Sequence, residues 1–571
     1  MTVTHTADYV VIGGGSAACI VAGRLAEHGY SVLLLEAGES AEAHPETLTA
    51  DGFKYAFAND ATMWPRMSSP LPAMGRKYLG TGRGMGGSGS VNGMVYTRGD
   101  KHDFLTWPAG WQWDDMLPAF EAIEAKLQPR PRPPTAMVQR FIQACTSLGM
   151  REETGLNTGN LSGKVGANDM NYAGEQRRSS YRAFIQEFLA AQPAAAQRLH
   201  IITGAQVERI EFAGQTATAV HYRKDGRAAQ AAVGKEVILT AGALETPRLL
   251  MLSGVGEAAH LQSVGLPVVC DAPGVGLHLQ DHPNVCLFWR GQQPLDFAYP
   301  QVYAFDQAER VAPAAAPFST DANTDANTDN DNDNDNDNDF APDTCWVFYA
   351  ASGSIQQAMH RMLPIMALPG GLHQITWLRQ SLRGLIDLAF ALPPVQRFVA
   401  NIFGIVVILG KPSARGSIRL ASAASTDAAD IQPGWYGSAQ DKARMETGIR
   451  KALQMVQQPS LAQLAPRPLS AAAKPGITPD KLWQWIHKAS MTTYHFGGSC
   501  RMGDDALSPV DPQTLRVKGL RNVRVADASV MPEIPVSALN APSMMIGWRA
   551  AEMIVQSQPP NSSQQQQKSS L

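Results

Sequence analysis

The segment TTYHFGGSC, residues 492–500, contains a histidine whose surroundings would suit proton transfer. His495 has aromatic neighbours and a following pair of glycines, and the other ionisable side chains of the segment are Tyr494 and Cys500. An imidazole titrates near neutral pH, so it can accept a proton from a substrate hydroxyl group. A packed, structural histidine is the alternative. The choice between the two depends on what the rest of the sequence builds.

A second group of residues, near the N-terminus, has the spacing of a dinucleotide site. Gly13, Gly15 and Ala18 form a G-x-G-x-x-A motif, in which Gly13 permits a tight turn and Gly15 lets the backbone approach a pyrophosphate. Glu36 lies 18 residues after Ala18, where a carboxylate can accept hydrogen bonds from ribose hydroxyl groups. A tight turn in an ordinary strand–helix–strand unit would not need Glu36. The residues predicted to contact the dinucleotide in this part of the chain are Gly13, Gly15, Ser16, Ala17, Ala18, Glu36 and Ala37.

These residues need regular elements to position them. The apolar runs DYVVI (8–12) and SVLLLEAG (31–38) enclose a helical pattern from Ser16 to His28, which predicts strand, glycine turn, helix and strand. Two later runs have the same character, at 235–254 and 523–532, and the second precedes a helical stretch from about Pro542 to Gln556. The pattern predicts an α/β fold, α+β overall, with a Rossmann-like domain that is discontinuous in sequence.

Length and composition exclude several classes of protein. A chain of 571 residues exceeds one hydrophobic core and indicates at least two domains. It is 44% hydrophobic and 17% charged, which is typical of a globular protein, and its net charge of −3 gives no overall field for binding nucleic acid. The six cysteines are scattered without a C-x-x-C pair. This argues against a disulfide framework or a metal site and fits a reducing intracellular compartment.

Five segments, in order along the chain, resemble the glucose–methanol–choline (GMC) oxidoreductases, which are FAD enzymes. Residues 82–104 resemble the first signature of this family and residues 242–256 resemble the second. The other three are VGLHLQDHP (275–283), HFGGSCRMG (495–503) and the long segment from Arg524 to Glu552. The resemblance covers nearly the whole chain except the acidic tract and residues around 352–400. It implies the GMC fold, with a Rossmann-like FAD domain and an antiparallel sheet in a substrate-binding domain.

The loop GMGGSGSVNG, residues 84–93, supports the flavin interpretation because it is almost free of side chains, so its N–H groups can line a ring system and a pyrophosphate. A flexible linker would not need Asn92 or the strand-like MVYTRG that follows. The resemblance implies that the flavin is lined by Gly84, Gly87, Ser88, Asn92, Gly93, Met94 and Val95. It also implies that Val207 contacts the adenine through its backbone and that Asp527 holds the ribityl or pyrophosphate region. The predicted set is completed by Ala241, Ala528 and Pro542.

Three positions depart from patterns seen in the family. Some relatives attach FAD covalently through a histidine just before the loop asparagine, and Val91 occupies that position here, so we expect non-covalent FAD. Thr81 stands where an arginine is usual, which we expect to loosen a cofactor contact. His278 stands where an asparagine is usual.

The resemblance implies the reaction and two catalytic residues. His495 aligns with the family's active-site histidine and would take the hydroxyl proton of a primary alcohol while hydride passes to flavin N5. Asn540 falls on the second active-site position, where an amide can donate to the forming alkoxide. The expected product is an aldehyde, and the electrons would pass to oxygen or to a quinone-like acceptor. Asn540 as a simple turn residue is the alternative.

Two other reactions remain open within the same fold. One is a lyase like the hydroxynitrile lyases, in which FAD is structural. The other is a fatty-acid photodecarboxylase, although that branch carries a cysteine where this chain has Gly410, and it lacks the active-site histidine.

The expected domain boundaries follow the motifs. The main FAD-binding part spans 6–284, with some substrate-side segments around 130–195. The substrate-binding domain spans 285–490, the return to the FAD domain spans 491–556, and a polar tail covers 557–571. The Asp- and Asn-rich tract 320–339 cannot bury apolar area, so we expect a disordered insertion there.

One segment raises the question of a membrane partner. Residues 370–392 place Leu372, Ile375, Leu378, Leu382, Leu385 and Ile386 at helical spacing. This pattern suits an amphipathic helix lying in a membrane surface, but it favours the alternative of a helix packed over the substrate cavity. The apolar run 398–410 is too short to span a bilayer and predicts a buried strand. The N-terminus lacks a secretory signal, and the final residues only weakly resemble a peroxisomal address.

Overall fold

The structure is a computed structural model that describes residues 3–296, 299–309, 340–368, 372 and 375–557. Its strands, in chain order, are β1 (Val3–Ile12), β2 (Val32–Leu35), β3 (Val95–Tyr96), β4 (Arg130–Pro131), β5 (Arg151–Glu153), β6 (Lys164–Ala167), β7 (Asp169–Met170), β8 (Tyr172–Ala173), β9 (Gln176–Arg177), β10 (Leu199–Ile202), β11 (Ala205–Ala213), β12 (Thr216–Lys224), β13 (Arg227–Leu239), β14 (Val255–Gly256), β15 (Cys270–Asp271), β16 (Leu277–Leu279), β17 (Pro283–Arg290), β18 (Val302–Asp306), β19 (Thr344–Ala350), β20 (Ile402–Leu409), β21 (Gly416–Arg419), β22 (Asp430–Gln432), β23 (Arg467–Pro468), β24 (Met491–Thr492) and β25 (Val523–Val525).

The α-helices are α1 (Ser16–Glu27), α2 (Phe53–Ala58), α3 (Trp113–Leu127), α4 (Ala136–Thr146), α5 (Glu187–Ala191), α6 (Pro193–Ala196), α7 (Thr246–Leu252), α8 (Ala258–Ser263), α9 (Ile355–Ala367), α10 (Thr376–Phe390), α11 (Pro393–Ala400), α12 (Ala439–Gln457), α13 (Pro459–Ala462), α14 (Pro479–Ala489) and α15 (Asn540–Gln556). Short 3₁₀ turns connect several of them.

A seven-stranded sheet forms the first layer of the fold. Strands β10, β2, β1 and β13 are parallel neighbours, β25 joins β13 in parallel, and β12 and β11 extend the sheet in antiparallel pairing. All four residues of β2 are buried, as expected for a parallel sheet that is covered on both faces. The predicted α/β dinucleotide-binding architecture is therefore confirmed.

The carboxyl ends of four parallel strands lie at one edge of this sheet. Ile12 is in register with both Leu35 and Leu239, and Leu239 is in register with Val525. The chain consequently leaves the sheet at neighbouring points, and ligands of open parallel sheets bind outside this edge. The glycine motif, Glu36 and Asp527 all follow these strand ends.

Helices α1 and α15 pack closely together beside this edge. A side chain at Gly547 would place its Cβ only 2.7 Å from the carbonyl oxygen of Ala17, so the helices can approach only because Gly547 lacks one. This packing joins the N-terminal glycine motif to a helix more than five hundred residues later in the chain.

An eight-stranded sheet forms the second layer, in the order β23–β17–β20–β19–β18–β6–β5, with β24 also paired to β17. All of its pairings are antiparallel except β5 with β6. This confirms the expected antiparallel sheet. The pairing of Pro283 with Thr492, between β17 and β24, brings the chain before His495 next to the chain around His282.

Several expectations concern particular segments. The helix predicted over 370–392 is observed as α10. Several residues just before α10 lie outside the part of the chain that the structure describes. The apolar run 398–410 contains β20, whose residues are nearly all buried. The tract 320–339 and the tail beyond residue 557 lie outside the described residues. The division into domains stays a prediction.

Candidate active site

A cavity of about 500 Å³ lies at the carboxyl edge of the parallel strands. Both predicted catalytic residues, His495 and Asn540, line it. The predicted cofactor-binding residues that line it are Gly13, Gly15, Ser16, Ala17, Glu36, Ala37, Gly87, Ser88, Asn92, Gly93, Val95, Val207, Ala241, Asp527 and Ala528. Residues from distant parts of the sequence thus converge on a single cavity.

Four predicted residues are not part of the cavity lining, and each has a structural reason. Ala18 is fully buried within α1, and Pro542 is buried in the first turn of α15. Met94 has a positive φ of 66° and is buried in a small apolar cluster. Gly84 donates its N–H to Oε1 of Glu36 at 2.9 Å, so it supports that carboxylate.

Glu36 is a buried carboxylate held by backbone groups. Its Oε2 accepts a hydrogen bond from the N–H of Gly14 at 2.6 Å, and its Oε1 accepts from Gly38 at 2.7 Å as well as from Gly84. Burial raises the pKa of Glu36, and these three hydrogen bonds oppose that rise. Because a carboxylate offers about four lone-pair directions, one acceptor position remains for a ribose hydroxyl group.

Two helices begin at the cavity, and neither has a side-chain hydrogen bond that caps its N-terminus. Gly15 is the N-cap of α1 and Leu539 is the N-cap of α15, and neither N-cap side chain satisfies the first N–H groups of its helix. A Cβ at Gly15 would meet no atom closer than the Thr240 carbonyl oxygen at 3.8 Å, so the glycine leaves open space above the α1 terminus. Exposed N–H groups and a positive helix end are the features that bind a pyrophosphate. The residues present therefore fit a dinucleotide.

Asp527 anchors another part of this edge. Its Oδ2 accepts hydrogen bonds from Gly242 N–H at 2.9 Å and from the Thr246 hydroxyl group at 2.6 Å, and its Oδ1 accepts from Ser529 N–H at 2.8 Å. Burial raises the pKa of Asp527, and the hydrogen bonds oppose the rise. Asp527 thus ties the loop after β25 to the loop after β13.

His495 is positioned by its own backbone and by Asp281. Tyr494, immediately before it, has a φ of +63°, a left-handed conformation that is costly for an aromatic residue and that turns the chain sharply. The backbone N–H of His495 donates to Oδ1 of Asp281 at 3.2 Å, and the Thr492 hydroxyl group donates to the same oxygen at 2.9 Å. Trp435 Nε1 donates to Oδ2 at 3.1 Å. Burial raises the pKa of Asp281 to about 7, against the effect of these hydrogen bonds.

The imidazole of His495 contacts a second imidazole. Its Nδ1 lies 2.9 Å from Nδ1 of His282, which is completely buried. Burial lowers the pKa of His495 to about 4, and it lowers the pKa of His282 well below its usual value, with the nearby His495 and Lys411 contributing. Both rings are therefore neutral at pH 7. One Nδ1 must carry the shared proton, and Nε2 of His495 remains for a substrate.

Asn540 begins α15 and is linked to α1. The Ser16 hydroxyl group donates to Oδ1 of Asn540 at 2.8 Å. Because this interaction uses the amide oxygen, both hydrogens of Nδ2 remain available as donors. Gly89 packs close to both side chains, and a Cβ there would lie 2.3 Å from the Ser16 hydroxyl oxygen. The glycine-rich loop therefore touches the Ser16–Asn540 pair directly.

The remaining surface of the cavity is largely apolar or aromatic. The side chains involved include Phe57, Met63, Trp64, Val91, Tyr303, Ala358, Tyr494, Phe496 and Leu539. Three carboxylates occur among the described lining residues, and each has partners: Glu36 and Asp527 as above, and Glu245 with Arg66 at 2.8 Å and Arg248 at 2.5 Å. Although burial opposes it, these two arginines hold the pKa of Glu245 below its usual value.

The structure also shows what surrounds Thr81 and why a histidine is tolerated at position 278. Arg66 donates from Nη1 to the Thr81 hydroxyl group at 2.5 Å, so an arginine from elsewhere in the chain reaches the cavity wall beside Thr81. His278 has a φ of +59°. Histidine, like asparagine, is among the residues that are enriched in this left-handed region, which accounts for the replacement.

Sequence reasoning missed four residues that contribute to the site. His282, Asp281, Arg66 and Tyr494 were not predicted, although His282 and Asp281 belong to the quoted segment VGLHLQDHP. That segment contained a clue to their role. Two adjacent ionisable residues directly before an apolar strand become buried with it, and buried polar groups need hydrogen-bond partners.

Comparison with known proteins gives consistent results. Two family models described as GMC oxidoreductase match residues 7–284 and 412–547. An alcohol dehydrogenase [acceptor] of Pseudomonas putida is 30% identical over 96% of this chain and 95% of its own length. An oxygen-dependent choline dehydrogenase of Paraburkholderia xenovorans is 28% identical over 96% of this chain and 94% of its own. Among solved structures, pyridoxine 4-oxidase from Mesorbium loti has a TM-score of 0.77 at 23% identity, covering 97% of this chain and all of its own.

Proposed function

The chain belongs to the GMC oxidoreductase family of FAD-dependent enzymes that act on CH–OH donors, and we propose that it oxidises an uncharged primary alcohol to an aldehyde with His495 as the base. The observation that carries this proposal is the pairing of the His495 and His282 Nδ1 atoms at the cavity wall. It leaves a single nitrogen of His495, Nε2, to receive a proton from substrate.

Protonation states agree with this role. His495 is neutral above about pH 4, so it is in the base form at physiological pH. For Nε2 to be the bare nitrogen, the ring proton must be on Nδ1, which then donates to Nδ1 of His282. For its Nδ1 to accept this hydrogen bond, the neutral His282 ring must carry its own proton on Nε2.

Each residue then has a defined part in the reaction. Nε2 of His495 takes the hydroxyl proton, and the imidazolium that forms keeps its Nδ1–H bond to His282. An Nδ2 hydrogen of Asn540 is donated to the substrate oxygen as negative charge develops there. FAD, when bound, supplies the acceptor for the hydride that leaves the carbinol carbon. The apolar walls exclude water from the same space.

FAD would be held by the elements that fit a dinucleotide. The α1 N-terminus at Gly15 would bind the pyrophosphate, and Glu36 would accept from the adenosine ribose. The N-terminus of α15 and the glycine-rich loop would lie against the flavin. Val91 lines the cavity and has no nucleophilic group, which supports non-covalent binding.

The lining of the cavity supports an uncharged aliphatic or aromatic alcohol. A quaternary ammonium ion is bound best by aromatic side chains together with an unpaired carboxylate. Aromatic side chains line this cavity, but its described lining carboxylates are already paired. We therefore propose a substrate unlike choline, although choline dehydrogenases occur among the relatives. A photodecarboxylase-like site is disfavoured as well, because a side chain at Gly410 would meet Val536 at 2.5 Å.

Anaerobic addition of alcohols to the purified flavoprotein tests the proposal. Benzyl alcohol or octanol should bleach the flavin absorbance, and choline should not. A lyase would leave the flavin oxidised with every alcohol, which would contradict the proposed reaction. Readmitting oxygen or adding a soluble quinone to the bleached sample would then identify the electron acceptor.

A further inference from the structure

The helices α9, α10 and α11 expose an unusual amount of apolar surface. Of the thirteen large apolar side chains that are exposed in the described part of the chain, eight fall between residues 366 and 398. They include Met366, Trp377, Leu385, Leu388, Leu392 and Phe398. Scattered exposed apolar residues need no explanation, but a concentration on three neighbouring helices marks an interaction surface. We call this set the apolar cap face.

The face is built by the helical repeat of α10. Trp377, Leu385 and Leu388 lie on its outer side and are 68%, 63% and 65% exposed. Ile386, on the opposite side, is buried, and Arg383 is directed inwards with it. The helix therefore carries apolar residues on both its inner and its outer side, and those on the outer side are mostly exposed to solvent.

Arginines fix this orientation. Asp60, just after α2, is bound by Arg361 from α9 at 2.7 Å and by Arg383 from α10 at 3.0 Å. Arg379 also lies 3.0 Å from Asp60. These ion pairs tie the inner sides of α9 and α10 to the body of the protein. The outer sides are therefore held towards solvent.

The charge of the segment indicates the kind of partner. Residues 355–400 contain four arginines and one acidic residue, Asp387, with no lysine or glutamate. Even when Asp60, the ion-pair partner of three of these arginines, is counted with them, the local net charge is +2, whereas the whole chain has a net charge of −3. Apolar side chains including tryptophan, combined with local positive charge, match the interface of an anionic lipid bilayer. No helix in the described residues is long and apolar enough to cross a bilayer, so contact with lipid would be at the surface.

We propose that the apolar cap face docks the protein on an anionic lipid membrane. A second copy of the chain fits the face less well. In a symmetric dimer, the same patch would face itself and bring together two segments of like charge. An anionic lipid surface supplies the opposite charge and accepts Trp377 and Leu388 into its interfacial region.

Vesicle flotation of the FAD-loaded full chain tests this inference. Vesicles of phosphatidylcholine with phosphatidylglycerol should carry the protein upwards, and vesicles of phosphatidylcholine alone should carry less. The double substitution Trp377→Ser and Leu388→Ser should weaken vesicle binding about tenfold or more, because each buried apolar side chain contributes to partitioning. Leu105→Ser is a matched control, since Leu105 is also 65% exposed and belongs to a different segment, at the end of the turn Lys101–Phe104.

The outcomes separate the alternatives. Flavin content and the thermal unfolding midpoint should stay the same in both variants, because the replaced side chains are exposed. Failure of the unsubstituted protein to float with phosphatidylglycerol vesicles would overturn the proposal. So would equal flotation of the double variant, or a concentration-dependent dimer in solution that the double variant abolishes, since the face would then be an interface between copies.

Discussion

The Nδ1 atoms of His282 and His495 lie 2.9 Å apart, with the two imidazole planes nearly perpendicular at 87°. The residues are separated by 213 positions in the sequence. Their contact determines which nitrogen of His495 is available to a substrate. It makes His282 a positioning residue, since it acts through His495.

Substitution of His282 should therefore slow proton transfer to His495 and leave FAD binding unchanged. His282→Phe removes the acceptor for His495 Nδ1–H, and we expect flavin reduction to slow about 10- to 100-fold, the usual size of a lost hydrogen bond to a charged group. His282→Gln retains an acceptor oxygen and should recover part of the rate. FAD content should not change in either variant. Equal rates for the two variants would show that His282 only fills space.

His495→Ala should remove the base itself. We expect the rate of flavin reduction under anaerobic stopped-flow conditions to fall about 10²–10⁴-fold, the usual contribution of general-base catalysis. FAD should remain bound, because the predicted contacts at Gly15 and Glu36 are distant in sequence and independent of the imidazole. His200→Ala, at an exposed histidine, serves as the control. A wild-type rate in His495→Ala would place the base elsewhere.

The pH dependence should reflect the burial of His495. The base must be unprotonated, and burial lowers its pKa to about 4. The decline caused by protonation of His495 should therefore appear only as pH approaches about 4, and it should be absent from His495→Ala. A change in rate near pH 7 that is common to both proteins would report the titration of Asp281. A decline centred near 6.5, the usual value for histidine, that occurs in the wild type and disappears in His495→Ala would contradict the assignment.

Substitution of Asn540 should slow proton transfer less than substitution of His495. Asn540→Ala removes a donor to the substrate oxygen, so we expect a loss of about tenfold in rate together with weaker apparent substrate binding. Ser16→Ala is a matched variant because it removes the partner of Oδ1 and keeps the amide. If Ser16→Ala and Asn540→Ala behave alike, the amide acts only through its link to α1.

Gly15 should be required for FAD binding and not for folding. A valine side chain there would occupy the open space above the α1 N-terminus, and we expect FAD affinity to fall about tenfold or more. Gly384→Val is the control, since an added Cβ at Gly384 meets no atom within 4 Å. The readout is flavin absorbance per protein after gel filtration. In the wild type, acid precipitation should release the yellow colour into the supernatant, and colour in the pellet would instead indicate a covalent link.

Local sequence patterns were enough to predict the elements around the site. The glycine motif, the apolar runs 8–12, 31–38 and 235–254 that contain strands, and the helix from about Pro542 were all predictable, because hydrophobic period and turn residues are local properties of a chain. The ordered family motifs added FAD and pointed to His495 and Asn540, whose catalytic roles stay predictions.

Contacts between residues that are distant in the sequence could be seen only in the folded protein. The pairing of β17 with β24 brings His282 to His495, and the return of the chain around Arg66 places a guanidinium beside Thr81. The packing of α10 also could not be foreseen, because its sequence has apolar residues on both sides. Ion pairs to Asp60 decide which side faces the protein. Such contacts depend on the registers of strands and the packing of helices that lie hundreds of residues apart, and no local spacing encodes them.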